Sequence, residues 1–362
     1  AGTYAEGARI TISNSGTVNN YITVRNYGSD TVTVDTTGNT GLPGFGSIAP
    51  AFHVRGNYIR LKGFTTIGSN AGIYVGPTNS PAEVNPHDII IENNITKDNK
   101  TLASTPGNYH GIMIGGRSEN WITSVQNITV QNNDIYVVEP GAISAGSGSG
   151  PGIYMLNANG GHVIRNNNIY YSGTLNVHGM DGVNNSPNFT FIYTIRDTDI
   201  YGNYIQGCTD DGISLEGNAA NVRVWNNTIT RCNMAISIAP IMIGPTYIFR
   251  NIIYDPERHW VSSNGFTKGG EDGTGYVFIY HNTVLFDDRY VGTTFPNGSG
   301  KVASQNAGIW NSAGSGNNSV NVFSRNNIFE LDGAPVIDNT GKPSMDYDLI
   351  YNYFTYSATY WA

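Results

Sequence analysis

The sequence predicts an all-β solenoid, one elongated domain spanning residues 1–362 in which a short unit is stacked on itself. Three observations carry this expectation. The stretch 203–239 shows the unit twice with almost nothing inserted. Asn203, Ile205 and Cys208 recur as Asn227, Ile229 and Cys232, at a spacing of 24 residues. An asparagine column then extends along most of the chain, and a strand opening on Gly-Ile or a close equivalent follows each of its members.

Taken in order, residues 1–50 alternate strongly, as in Ile10-Thr11-Ile12 and Thr31-Val32-Thr33-Val34, with Asn, Ser and Gly between. Such runs are short strands separated by turns. The asparagine column reads Asn93, Asn133, Asn167, Asn203, Asn227, Asn251, Asn282 and Asn326, with Asn57 as an earlier, weaker member. Two residues after each comes an apolar side chain: Ile95, Ile135, Ile169, Ile205, Ile229, Ile253, Val284 and Ile328. Before each lies a strand such as Ile89–Ile91 or Val222–Trp225. Asparagine suits a sharp bend because it tolerates the left-handed backbone and can bond to the asparagines above and below. Spacings of 24 to 44 residues then mean a minimal coil with insertions of varying length.

The second recurrent strand supplies Ile73, Ile112, Ile153, Val183, Ile213, Ile236 and Ile309, which are expected to form one buried ladder. The next residue in each, Tyr74, Met113, Tyr154, Asn184, Ser214, Ser237 and Trp310, is then expected to face outward on one sheet. Cys208 and Cys232 fall at the same position of consecutive coils, at a separation compatible either with a disulfide or with a ladder of inward thiols. The segment 338–362 is rich in aromatics, departs from the repeat, and is expected to cap the last coil.

Composition narrows the partners. The chain carries 19 Lys and Arg against 27 Asp and Glu, a net charge of −8, with no basic run, which argues against nucleic acid and anionic membrane surfaces. No apolar run is long enough to span a bilayer. The chain opens already entering a strand, with no signal peptide, so a leader and part of a first coil are expected to precede Ala1.

The repeat is similar to the right-handed parallel β-helix over nearly the whole chain, and the opening Gly2 to Gly7 resembles the first coil of many secreted bacterial and archaeal β-helix repeat proteins. Pectate lyases, polygalacturonases, alginate lyases, epimerases and phage tailspikes share that architecture. The resemblance implies a secreted or cell-surface protein with a long groove on one sheet, walled by loops, that takes an extended polysaccharide. It does not extend to one family. Of the polygalacturonase motifs only Asp210-Asp211 is present, and the Arg-x-Pro-x-x-Arg run of pectate lyases is missing.

The densest acidic cluster is Asp210, Asp211 and Glu216, and alignment on the buried ladder places Asp181 directly under Asp211. These four are expected to share one surface within roughly 5–10 Å, a range that includes the carboxylate separations of glycoside hydrolysis. Asp before Gly is also ordinary turn chemistry, and stacked Asp can hold calcium, so Asp181 and Asp211 double as a possible calcium site; no other cofactor is implied. His110 precedes Gly111 in the column of Asp181 and Asp211, and His178 lies three residues before Asp181; either suits a base or a sugar contact. Lys268, with Glu271 and Asp272, reads as a groove wall and as the base of a rival β-eliminating lyase. Tyr74, Tyr154 and Trp310 are candidates to stack on sugar faces. Hydrolysis by paired carboxylates is the leading expectation, a calcium-assisted uronate lyase the first alternative, and a non-catalytic fibre or carbohydrate-binding protein the second.

Overall fold

The computed structural model describes residues 1–5, 9–37, 49–78, 85–97, 110–116, 123–138, 150–172, 183–186, 195–208, 210–254, 264–269, 273–285, 306–311, 321–331, 337–338 and 344–352. Among them the chain winds as a right-handed parallel β-helix, visiting a first, a second and a third sheet in turn on every coil. The sheets hold 12, 11 and 12 strands, and the ladders between successive coils are parallel. No helix of the described residues is long and apolar enough to cross a membrane.

The corner between the third and first sheets is the repeated device. From Glu92 onward it consists of two residues with separate jobs. The first adopts a left-handed backbone: Asn93, Asn132, Asn166, Gly202, Asn226, Arg250, His281, Asn326 and Tyr347 all have φ between 53° and 65°. The second is buried and carries the side-chain ladder Asn94, Asn133, Asn167, Asn203, Asn227, Asn251, Asn282 and Asn327. Each ladder amide is fully used. In Asn227, Nδ2 donates to Ile200 O at 2.9 Å and to Asn251 Oδ1 at 3.0 Å, while Oδ1 accepts from the backbone and side-chain amides of Asn203 at 3.0 and 2.9 Å. Asp348 ends the described ladder, accepting from both nitrogens of Asn327 at 2.7 and 2.9 Å. A carboxylate can receive the ladder there but has no N–H to pass on.

Two expectations shift by one residue on this account. The ladder members are Asn94 and Asn327, not Asn93 and Asn326, so the inward residues there are Thr96 and Phe329 while Ile328 is 42% exposed. Where two asparagines adjoin, composition does not say which bends and which bonds. Toward the C-terminus, residues 337–338, 344–346 and 349–352 add strands to all three sheets, and the rest of the segment 338–362 expected to cap the last coil lies outside the described residues.

The core is a set of stacked apolar columns. In the second sheet Phe52, Ile73, Ile112, Ile153, Val183, Ile213 and Ile236 stand in register and are buried, as expected for all but Phe52, and Thr267 takes the next rung before Ile309. Each buried aliphatic side chain contributes about 1.5–3 kcal/mol. Cys208 and Cys232 lie in the same core as thiols, which settles that pair as inward residues rather than a disulfide. Outside the third sheet, Tyr201, Trp225, Phe249 and Tyr280 form a continuous ring stack, with centroids 4.2, 6.0 and 5.1 Å apart and planes within 11°. The rings spend their faces on one another, which braces the coils from outside.

Chain insertions are distributed unevenly. From Glu92 onward the third-to-first corner never exceeds two residues, so every long connection falls at one or other margin of the second sheet.

Two stability changes follow. Asn227→Ala removes two donated bonds and leaves two buried amides of Asn203 without their acceptor, and is expected to cost about 3–5 kcal/mol in urea unfolding. His281→Asn, at a left-handed position with φ 59°, is expected to stabilise by about 0.5–1 kcal/mol on the same assay.

Candidate functional site

The outer face of the second sheet is where insertions and candidate residues coincide. By strand register one backbone column runs His53, Tyr74, Met113, Tyr154, Asn184, Ser214, Ser237, Lys268 and Trp310. Its early half is closed. Tyr74, Met113, Leu156 and Ala71 form a second apolar cluster outside the sheet, with Tyr154 packed against it. Tyr74 is 0% exposed, and its hydroxyl donates to the carbonyls of Pro77 at 3.1 Å and Gly115 at 3.0 Å. His53 stacks on Tyr74 with centroids 5.0 Å apart. The expectation of Tyr74 as a sugar platform is therefore corrected: it faces away from the core, yet presents no accessible ring. Tyr154 is half-buried, and His110 stacks against it at 4.9 Å.

His110 is buried, and loss of solvent pushes its imidazole down to about 4, partly offset by a backbone bond to Pro151. Near neutral pH it is an uncharged ring packed on a tyrosine, which fits a structural role better than that of an exposed base. His162, buried at the third sheet and bonded to the Ala158 carbonyl, is lowered to about 4 for the same reason.

Beyond Tyr154 the face becomes polar. The coil Asp211–Ser214 shows how. A Cβ on Gly212 would lie 2.6 Å from Ile229 Cγ2 and 3.4 Å from Cys232 Sγ, so position 212 points into the core. Ile213 and Leu215 are also core residues. Two inward positions in succession turn both neighbours out, which leaves Asp211, Ser214 and Glu216 on the outer face. Only a residue without a side chain fits at 212, which is why an Asp-Gly pair opens this strand.

Asp211 is almost fully buried and pairs in register with Met234, while the Asp210 carbonyl accepts the Met234 N–H at 3.1 Å. Glu216 is half-buried, and its Oε1 accepts from Ser237 Oγ at 2.5 Å. Strand rise of about 3.3 Å per residue separates the backbones of Asp211 and Glu216 by roughly 16 Å. Asp211 opens the strand Asp211–Ser214, and Glu216 lies two residues beyond its end. Asp181 and His178 lie outside the described residues. Lys268 is in register with Ser237 on one side and Trp310 on the other, which places these backbones on the same column; Glu271 and Asp272 lie outside the described residues. Among the described residues no three His, Cys, Asp or Glu side chains gather as a metal site.

Ser237 and the closed Tyr74–Met113–Leu156 cluster were missed in the sequence. The available signal was residue size in the outward column, which falls from Tyr and Met to Ser between Tyr154 and Ser214.

No protein-family model matches the chain, and no curated protein matches it in sequence. Among solved structures, the chain is similar to the tailspike protein of E. coli bacteriophage HK620, bound there to a pentasaccharide, with TM-score 0.51 and 12% identity over 96% of this chain and 58% of that one. It is also similar to a PL6-family alginate lyase, with TM-score 0.50 and 12% identity over 97% of this chain and 49% of that one. The chain therefore spans about half the length of each, and at this identity the likeness establishes a shared β-helix fold.

The buried histidines give a pH prediction. Each has a folded pKa near 4 against 6.5 unfolded, so the unfolded chain takes up the proton first. Stability is expected to be intact above pH 6.5 and to fall as pH drops from 6.5 toward 4, by up to about 3 kcal/mol per histidine. Urea midpoints measured across that window should decline less steeply in His162→Gln than in the wild type.

Proposed function

We propose that the protein is a polysaccharide-degrading enzyme whose substrate lies along the outer face of the second sheet, over the coils from Asn184 to Trp310. The observation that carries this reading is the change along that sheet from the apolar cluster of Tyr74, Met113 and Leu156 to the carboxylates and hydroxyls of Asp211, Ser214, Glu216 and Ser237. A run of such polar groups suits a chain of hydroxyl-bearing rings. The two solved proteins of similar fold are consistent with it, one an alginate lyase and the other a tailspike holding a pentasaccharide.

The chemistry proposed is glycoside hydrolysis by carboxylates drawn from Asp181, Asp210, Asp211 and Glu216. Hydrolysis needs one group to protonate the leaving oxygen and a second to activate water or attack the ring. Asp210 and Asp211 are adjacent in the chain at the start of the strand Asp211–Ser214, while Asp181 lies outside the described residues. Tyr154 and Trp310 would bound the bound chain at either end. The enzyme acts outside the cell, where such polymers occur.

A second reading rests on a specific observation. The Lys268 backbone is in strand register with Ser237, which is itself in register with Ser214. A uronate lyase needs a base for the proton beside the carboxylate and a positive charge for the resulting enediolate. Calcium held by Asp181 and Asp211 would supply that charge.

One experiment separates the readings. Wild type and Asp211→Asn are incubated with neutral and uronic-acid polysaccharides, with and without chelator, while reducing ends and ultraviolet absorbance are followed together. Hydrolysis is expected to release reducing ends without new absorbance, and Asp211→Asn to lower that rate at least 100-fold. New absorbance abolished by chelator would establish the lyase instead. Binding of polysaccharide with no turnover of any would leave a carbohydrate-binding or fibre protein.

A further inference from the structure

We infer that Ser237, from the neighbouring coil, is the positioning residue for Glu216, an inference that rests on reading Glu216 as a working carboxylate of the groove. Ser237 is 0% exposed, and its flanking residues Ile236 and Ile238 belong to the core, so its hydroxyl faces outward beneath Glu216. The backbone on both sides of Glu216 is tied to the same coil. Leu215 N–H donates to the Ser237 carbonyl at 3.0 Å, and Gly217 N–H donates to the Pro240 carbonyl at 2.7 Å. Between these two clamps the Ser237 hydroxyl donates to Glu216 Oε1 at 2.5 Å, which fixes one carboxylate oxygen and with it the rotation of the group. A charge-assisted bond of this kind is about twice as strong as a neutral one.

The column explains why a serine stands there. On earlier coils the same outward position holds Tyr74, Met113 and Tyr154, any of which would fill the space Glu216 reaches across. Ser237 is small enough for the Glu216 carboxylate to lie against it, and its hydroxyl holds that carboxylate. The pairing also crosses between coils. Glu216 belongs to the coil of the Asp211–Ser214 strand and Ser237 to the coil of the Met234–Ile238 strand, so stacking itself sets the geometry.

The test compares wild type, Ser237→Ala, Ser237→Thr and Glu216→Gln on the same panel of neutral and uronic-acid polysaccharides, with thermal midpoints measured in parallel. For a positioning role, Ser237→Ala is expected to lower kcat about 10- to 100-fold, with KM within about twofold and the thermal midpoint nearly unchanged. Ser237→Thr, which keeps the hydroxyl, is expected to recover most of that loss. Wild-type kcat in Ser237→Ala, beside an inactive Glu216→Gln, would overturn the inference and leave the reading of Glu216 intact. A loss of kcat that tracks a fall in thermal midpoint in both Ser237 variants would also overturn it, by making the serine structural. Full activity in Glu216→Gln, or no turnover by the wild type on any polymer, would overturn the underlying reading and the inference with it.

Discussion

The structure depends on one amide used in four directions. A ladder asparagine buried at the third-to-first corner donates twice and accepts twice, so that each coil is bonded to the next through a group with no unmet capacity. Burying an amide is costly unless every partner is present, and here the partners are supplied by the repeat itself. That condition makes the corner intolerant of length. A ladder residue moved by one position would lose both its carbonyl and its neighbouring amide. Insertions are accordingly excluded from this corner and accumulate elsewhere.

The location of the site follows from that exclusion. With that corner closed to extra chain from Glu92 onward, the longer connections between described strands fall where the chain enters or leaves the second sheet. The third sheet bears an external stack of Tyr201, Trp225, Phe249 and Tyr280, whose ring faces are taken up by one another and serve cohesion between coils. Along the second sheet, side-chain size does the rest. Tyr74, Met113 and Leu156 pack together outside the early coils, and the smaller Ser214 and Ser237, themselves buried, take the same column on the later ones. The carboxylates occur where the column is small.

Much of the fold was legible because a solenoid turns long-range contacts into a local period. The spacing of 24 between Asn203, Asn227 and Asn251 is at once a sequence interval and a distance of one coil, so the inward ladder through Ile213 and Ile236 could be read before any coordinates. The errors came from positions where two residues of one type adjoin. Asn93 and Asn94, or Asn326 and Asn327, share a composition but divide the work of bending and bonding. Tyr74 was misjudged for a different reason: period two tells which side of a strand a residue faces, and says nothing about what covers that side.

Sequence by itself determined the coil, its asparagine column, the buried aliphatic ladder and the sheet on which the acidic residues lie, because each is an expression of period alone. Tertiary structure decided further matters. It enclosed Tyr74 within a second apolar cluster with His110 buried against Tyr154, and kept Cys208 and Cys232 as core thiols. It also brought Ser237 against Glu216 from the next coil. The physical reason is common to all of these. They depend on side-chain volume and on contacts between coils, and a repeat fixes where a residue stands without fixing what its neighbours leave room for.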